Sequence, residues 1–390
     1  MSTAAQRRAY DGPALFSFGF RPFFFFGAIW SALAVPLWVW MYVGGSGLAI
    51  HRDWHIHEML FGFLAAIVAG FLTTAIPNWT GRMPVIGAPL AGLVLLWAAG
   101  RVAMLFEYWL GPLAAIVDSA FLLTFAGVVW REVVAGRNWR NLPVCLLATV
   151  FALANLAFHL KLYLSYSEVG VRLGLAAITV LLALIGGRIT PSFTRNWLKA
   201  QGVPQAPAAA GVVDQVILGL TAVAAGSWVI APEASPTGML LILAGGANLV
   251  RLARWRGWLA AREPLLWILH LGYGWLGAAL LMLGLSVLTE AVPRTVGVHA
   301  LTAGAVGVMT LAVMTRATRG HTGRALAADA STLLIYLAVL AAAVLRVLAP
   351  FFAAMQVPLL VASSVAWSLA FAGFAVRYAP MLLRARPPRG

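Results

Sequence analysis

Residues 54–82 read WHIHEMLFGFLAAIVAGFLTTAIPNWTGR. From Met59 to Gly81 the stretch carries no charge, and it opens on two histidines and an acid. About 20 mainly apolar residues are what a helix needs to cross a bilayer. In hydrocarbon every backbone N–H and C=O must be bonded within the segment, so such a run folds as helix. The stretch therefore predicts a membrane-spanning helix with a histidine cluster at its head. Working outward, the same pattern recurs along the chain. Segments near 20–43, 56–76, 84–105, 109–130, 141–165, 170–188, 212–230, 236–252, 263–286, 296–315, 327–348 and 352–377 all qualify. The fold class expected is all-α, a polytopic transmembrane bundle of about 12 helices.

Composition agrees. Of 390 residues, 62% are hydrophobic and 10% charged, whereas soluble domains carry about 25% charged residues. A soluble globule is excluded, and so is disorder, which requires low hydrophobicity. The net charge of +15 comes from basic residues at span ends, the places that set orientation. Most lie on the side of the N-terminus, among them Arg7, Arg8, Arg386 and Arg389. The expectation is both termini cytoplasmic, a retained first helix, multi-pass insertion in a bacterial inner membrane, contact with lipid, and no nucleic acid partner. The Pro/Ala/Gly-rich 189–211 reads as a cytoplasmic linker between a first six-helix half, 1–188, and a second, 212–390. No convincing internal repeat is visible. Many glycines fall at helix-packing spacings, and many tryptophans, Trp54 among them, fall where an interfacial belt would lie. The Phe run at 20–26 reads as the interfacial start of the first helix.

Chemistry is expected from the seven histidines. On the topology above His51, His55, His57, His159 and His299 approach the outer side from three distant stretches. On a regular helix His51, His55 and Glu58 share one face and His57 points away, which assigns His55 and His57 to different centres. Neutral imidazole suits copper, haem iron, zinc and nickel. Cys145 is the single cysteine, so thiolate clusters within one chain are excluded. Asn155 precedes His159 by one turn and shares its face. His270, near mid-membrane with Tyr273 and Gly274 after it, is a candidate haem ligand. His299 opens a run of small residues that would admit a flat macrocycle. His321 and Arg324, in a glycine-containing basic loop, and Arg21, beside the Phe run, are candidate cofactor-binding residues, since Arg forks match carboxylates. Glu58 and Asp118, placed near the middle of the fourth helix, would relay protons or brace ligating imidazoles; for Asp118 an arginine partner serving packing alone is the other reading. No CxxCH, HExxH or phosphate-binding glycine loop occurs.

The strings FSFGFRPFFFFGA, WHIHEMLFGF, AGFLTTAIPNWTGR, NLAFHL and HALTAGAVGVMTLAVMTRATRGHTGR resemble the NnrS family, membrane proteins tied to the response to nitric oxide. The resemblance implies about twelve inner-membrane spans, bound haem and copper, hence iron, and an association with denitrification or nitrosative stress. It carries His55, His57, Glu58 and Met59, then His159, His299, and the string from Gly320 to Arg324, onto family positions. His51 and His270 are added as metal candidates.

The function expected is binding or detoxification of nitric oxide, or another small gas, at a histidine-ligated metal centre. An oxidoreductase acting on nitric oxide is the enzymatic version, and it needs an electron donor and a proton route. A transporter or metal-delivery protein is the alternative, as is an assembly factor for a partner enzyme.

Overall fold

The computed structural model describes residues 10–45, 50–164 and 168–385. Arg7, Arg8, Arg386 and Arg389 lie outside the described residues, as do the outer limits of the two proposed halves. Twelve helices are long and apolar enough to cross a membrane, and among the described residues there is no strand. They are α1 (Phe20–Tyr42), α2 (Arg52–Thr80), α3 (Gly87–Leu105), α4 (Pro112–Ala135), α5 (Trp139–Leu160), α6 (Val169–Ala200), α7 (Val212–Ile230), α8 (Ser235–Ala253), α9 (Pro264–Leu288), α10 (Arg294–His321), α11 (Ala330–Phe351) and α12 (Ala353–Leu383). Count and order are those the hydropathy pattern predicts.

The ends differ in instructive ways. The stretch 189–211 is helical as far as Ala200, because α6 continues through Pro191. It stops where Gly202 turns left-handed (φ 69°), so only its latter part is irregular. Two helices contain a π-helical segment: Glu58–Leu64 within α2 and Ala300–Val306 within α10.

The chain forms two compact units. The first holds Met1–Gly174, Ala317–Arg324 and Phe371–Gly390; the second holds Leu175–Arg316 and Ala325–Ala370. In the first, Phe20, Phe23, Phe24, Gly27, Ala28 and Ser31 of α1 are buried, which is the i, i+3, i+4, i+7 stripe of a packed helix. Phe20, Phe23 and Phe24 of the run are thus core, while Phe25 and Phe26 are half-buried. Gly70 of α2 lies against Phe23 and Phe24, and Gly27 of α1 lies against Ile67. Lipid tails are as apolar as side chains, so close van der Waals fit supplies the attraction. Trp54 is also core, 1% exposed and edge-on to Trp30, while Trp40, Trp109 and Trp139 are exposed as a belt requires.

In the second unit the closest helix crossing is α8 on α9. A Cβ on Gly245 would sit 2.8 Å from Gly277 O, and one on Gly284 would sit 2.6 Å from Gly238 O. Four glycines therefore meet backbone to backbone, Gly238 with Gly284 and Gly245 with Gly277. Beside them Arg251 donates to Asp214 (2.8 Å), to Ala183 O (2.9 Å) and to the Tyr273 hydroxyl (2.9 Å), and Tyr273 donates to Asn248 (2.7 Å). Tyr273 belongs to this network, not to an open pocket beside His270.

Candidate metal centre

The head of α2 carries the decisive residues. His51 is not in the helix. It is the N-cap, with extended backbone, and its Nδ1 accepts from Trp54 N at 3.2 Å, a standard way to satisfy a first-turn N–H. Its Nε2 meets Glu107 at 2.9 Å on an exposed surface. His55 is half-buried and stacks on Trp38 of α1, centroids 5.4 Å apart and planes at 17°. His57 alone of the three is fully buried.

His57 is held at both ring nitrogens. Nδ1 lies 2.9 Å from Glu58 Oε1; Nε2 lies 3.0 Å from Asp118 Oδ2 and 3.1 Å from Asn155 Oδ1. His159 Nε2 reaches the same Asp118 oxygen at 2.9 Å, and Asn155 Nδ2 donates to it at 2.8 Å. The rings of His57 and His159 are 5.1 Å apart between centroids. Asn155 does share a face with His159, as their spacing implied. Asp118 sits two turns into α4, about midway between its start and its middle, so the first halves of α2 and α4 meet the ends of α3 and α5.

A cation that sequence reasoning did not place completes the cluster. Arg101 of α3, 3% exposed, donates to Glu58 Oε1 and Oε2 at 2.9 and 2.8 Å and also to Asp118 Oδ1. The signal was present: an arginine inside an apolar span needs an acid, and Glu58 and Asp118 were the buried acids on neighbouring helices. Two local features make room. A Cβ on Gly62 would fall on the Arg101 guanidinium, and one on Gly100 would lie 3.0 Å from Asp118 Oδ1. The π-segment places Gly62 there and turns its carbonyl toward Trp97, whose indole donates to it at 2.9 Å. Such single π-turns recur at functional sites.

With both imidazoles neutral, Glu58, Asp118 and Arg101 leave one unit of negative charge. A neutral imidazole has one N–H. Both ring nitrogens of His57 face acceptor oxygens, Nδ1 facing Glu58 at 2.9 Å and Nε2 facing Asp118 at 3.0 Å, so the position between Nε2 and Asp118 suits either a proton or a metal ion. Among the described residues, His57, Asp118 and His159 are the group offering three ligand atoms within 4.8 Å of one another.

The sequence profile of the NnrS protein family matches residues 14–386. The chain belongs to the NnrS family. No curated protein matches it. Membership points to a multi-pass membrane protein of the nitric oxide response.

The other candidate residues of this NnrS chain divide between the two units. Within the first unit, His51 and His55 lie apart from His57, as the regular wheel predicts, but Glu58 does not stay with them. Glu58 pairs with His57 instead. His321 lies between Phe18 and Phe20, at 5.7 and 5.4 Å. Arg21 is buried, and its guanidinium donates to Met381 O, Leu382 O and Arg384 O at 3.2, 2.9 and 2.8 Å. Cations favour helix C-termini, so Arg21 caps α12, and a carboxylate role for it rests on the sequence expectation alone. Arg324 is exposed, its backbone N bonded to Arg319 O. In the second unit His270 is boxed in: Nε2 is 2.9 Å from Thr194 Oγ1, and a Cβ on Gly257 would strike its ring. His299 is half-buried, with Nδ1 donating to Thr295 O at 2.7 Å.

Proposed function

We propose that this NnrS protein binds copper and haem in the bacterial inner membrane and binds or detoxifies nitric oxide there, with His57, Asp118 and His159 as the copper ligands. The convergence of those three donors from α2, α4 and α5 carries the proposal. Imidazole nitrogens accept copper, as they also accept iron, zinc and nickel, and with both imidazoles neutral a singly charged cuprous ion would cancel the local charge of the cluster. Glu58 would hold His57 Nδ1–H and so orient Nε2 to the metal, the usual carboxylate–histidine–metal arrangement. Arg101 would hold both carboxylates in place. The same donors contact one another at hydrogen-bond distances, which suits an ion and not a macrocycle, so haem would take a histidine elsewhere. When bound, these groups would supply an iron that takes the gas and a second metal with redox chemistry. The protein's own residues orient the ligands, exclude water and balance charge. With both termini cytoplasmic, the centre would lie toward the outer leaflet.

The test is metal analysis and optical spectroscopy of the purified protein. Copper and a Soret band are expected, with copper lost in His57→Ala and His159→Ala. Neither metal in the wild-type protein would end the proposal.

One observation favours the enzymatic version. Glu58, His57, Asp118 and His159 form an unbroken series of hydrogen-bonding neighbours. Reduction of two nitric oxide molecules to nitrous oxide and water takes two electrons, from a donor, and two protons, which the Glu58 carboxylate, beside the ligands but not one of them, would carry toward the centre. Anaerobic turnover with a chemical reductant tests it, and no gas consumption would remove it.

A further inference from the structure

Arginines inside apolar spans are costly and take partners. Arg101 has two carboxylates, Arg251 an acid, a carbonyl and a phenol, and Arg21 three carbonyls. Arg316 of α10 is different. It is half-buried, and its guanidinium sits over the ring of Phe193 of α6, 4.3 Å from the centroid. It makes no hydrogen bond or ion pair with a described residue. A ring face attracts the charge but offers no oxygen to the five N–H donors of the fork.

The acid that acts on Arg316 electrostatically is Glu263, the N-cap of α9. No ion pair joins the two. Glu263 is buried and spends Oε1 on Leu265 N at 3.0 Å, while its Oε2 meets no donor among the described residues. Tyr336, the other polar neighbour, gives its hydroxyl to Thr315 at 2.5 Å, since Thr315 already donates to Leu311 O. Phe193, Glu263, Arg316 and Tyr336 all belong to the second unit. A cation with unused donors and an acid with an unused acceptor therefore stand near one another without touching.

Their depth selects the partner. Helices α6 and α10 have 32 and 28 residues, so at about 1.5 Å per residue they outrun a hydrocarbon core of about 30 Å by roughly 18 and 12 Å. Phe193 lies two turns before Ala200 at the end of α6, Arg316 lies little more than one turn before His321 at the end of α10, and Glu263 starts α9. All three sit near the boundary between hydrocarbon and headgroups, where phospholipid phosphates are the abundant anions.

A partial internal repeat shows that this charge pair is an addition. Setting Arg52 against Arg294 without a gap brings His57 opposite His299, Gly62 opposite Gly304, and Thr80-Gly81-Arg82 opposite Thr322-Gly323-Arg324. The backbone follows, with π-segments of equal length (Glu58–Leu64, Ala300–Val306) and left-handed glycines at the ends, Gly81 (φ 69°) and Gly323 (φ 73°). In that register the charges are exchanged: Ala300 stands for Glu58, Glu263 for Arg21 and Arg316 for Thr74. Thr74 is satisfied within the fold, donating to Gly70 O at 2.7 Å and accepting from Phe20 N at 3.0 Å. Its counterpart Arg316 is not.

We infer that Arg316 and Glu263 form a site for the headgroup of a zwitterionic aminophospholipid, Arg316 taking the phosphate and Glu263 Oε2 the ammonium. An arginine fork matches phosphate oxygens. The two side chains together are neutral, so a headgroup with one charge of each sign leaves the site balanced. Phosphate without the amine would leave Glu263 facing a like charge. The bound lipid ties the ends of α6 and α10 to the start of α9, and the site is independent of the metal centre.

Native mass spectrometry of the purified, delipidated full chain tests this, with phosphatidylethanolamine, phosphatidylglycerol and inorganic phosphate titrated in turn. Wild type is expected to retain phosphatidylethanolamine at least about fivefold better than phosphatidylglycerol and to take up no inorganic phosphate, and Arg316→Gln is expected to lose that retention by a similar factor. Glu263→Gln, which keeps the cap oxygen and loses the charge, is expected to bind the two lipids alike. Equal retention by wild type and Arg316→Gln overturns the inference, as does a wild-type preference for phosphatidylglycerol or uptake of phosphate alone. If Arg316→Gln does not accumulate, Glu263→Gln decides, and an unchanged preference for phosphatidylethanolamine overturns the inference.

Discussion

Arg101 grips both carboxylate oxygens of Glu58, at 2.9 and 2.8 Å, from a neighbouring helix inside an apolar span. Its other terminal nitrogen holds Asp118. One guanidinium thereby ties together the two acids that surround His57. Lysine, a point charge without the planar fork, cannot do this.

Arg101→Ala strands two buried carboxylates. Removing one partner from a buried ion pair costs about 3–5 kcal/mol, so the detergent-solubilised protein is expected to melt well below wild type or fail to accumulate. Arg101→Lys is expected to fall between. Thermal unfolding measures this, and a lysine variant as stable as wild type would contradict the forked role.

Glu58→Gln keeps the size of the side chain and removes its charge. Because Glu58 contacts His57 Nδ1, the change is expected to weaken copper binding by about 10–100-fold, the usual effect of losing a partner behind a ligand. Competition against a chromophoric copper chelator reads it directly. Unchanged affinity would separate Glu58 from the metal.

Gly62→Ala puts a methyl where the Arg101 guanidinium lies. Overpacking of this kind costs about 1–3 kcal/mol. The expected result is a lower melting temperature together with reduced copper, since the methyl displaces the group that orients both acids. A stable, copper-replete Gly62→Ala protein would show that Arg101 can relocate without consequence.

Arg21→Gln separates architecture from ligand binding. Loss of the guanidinium leaves three carbonyls at the end of α12 without their charged donor. Limited proteolysis is expected to cut sooner around residues 378–385, with the haem spectrum unchanged. An altered haem spectrum with unchanged proteolysis would restore the propionate role that the sequence suggested.

The spans were legible because crossing a bilayer constrains composition so strongly, and each apolar run is bounded by charge or by Gly and Pro. His57, His159, Asp118, Asn155 and Glu58 were legible as individually costly groups in lipid. Their partnership was not, because it depends on which helices adjoin. The wheel misplaced Glu58 at the head of α2, and it showed neither that His51 lies outside the helix nor that a π-segment follows His57. Arg101 was hidden by its position near a span end, where it read as an orientation charge. The repeat was hidden because the second copy had exchanged its charged residues, keeping the histidine, the glycines and the backbone shape.

The bond from Arg21 to the carbonyls of Met381, Leu382 and Arg384 has a consequence for biogenesis. Helix α1 leaves the ribosome carrying a cation whose partners lie about 360 residues further along the chain. Until they arrive, that guanidinium must be solvated by lipid phosphate or water, so α1 reaches its final seat only after α12 has been made. A chain truncated before Met381 would insert its other helices and still leave Arg21 unsatisfied, a defect that membrane proteases could recognise.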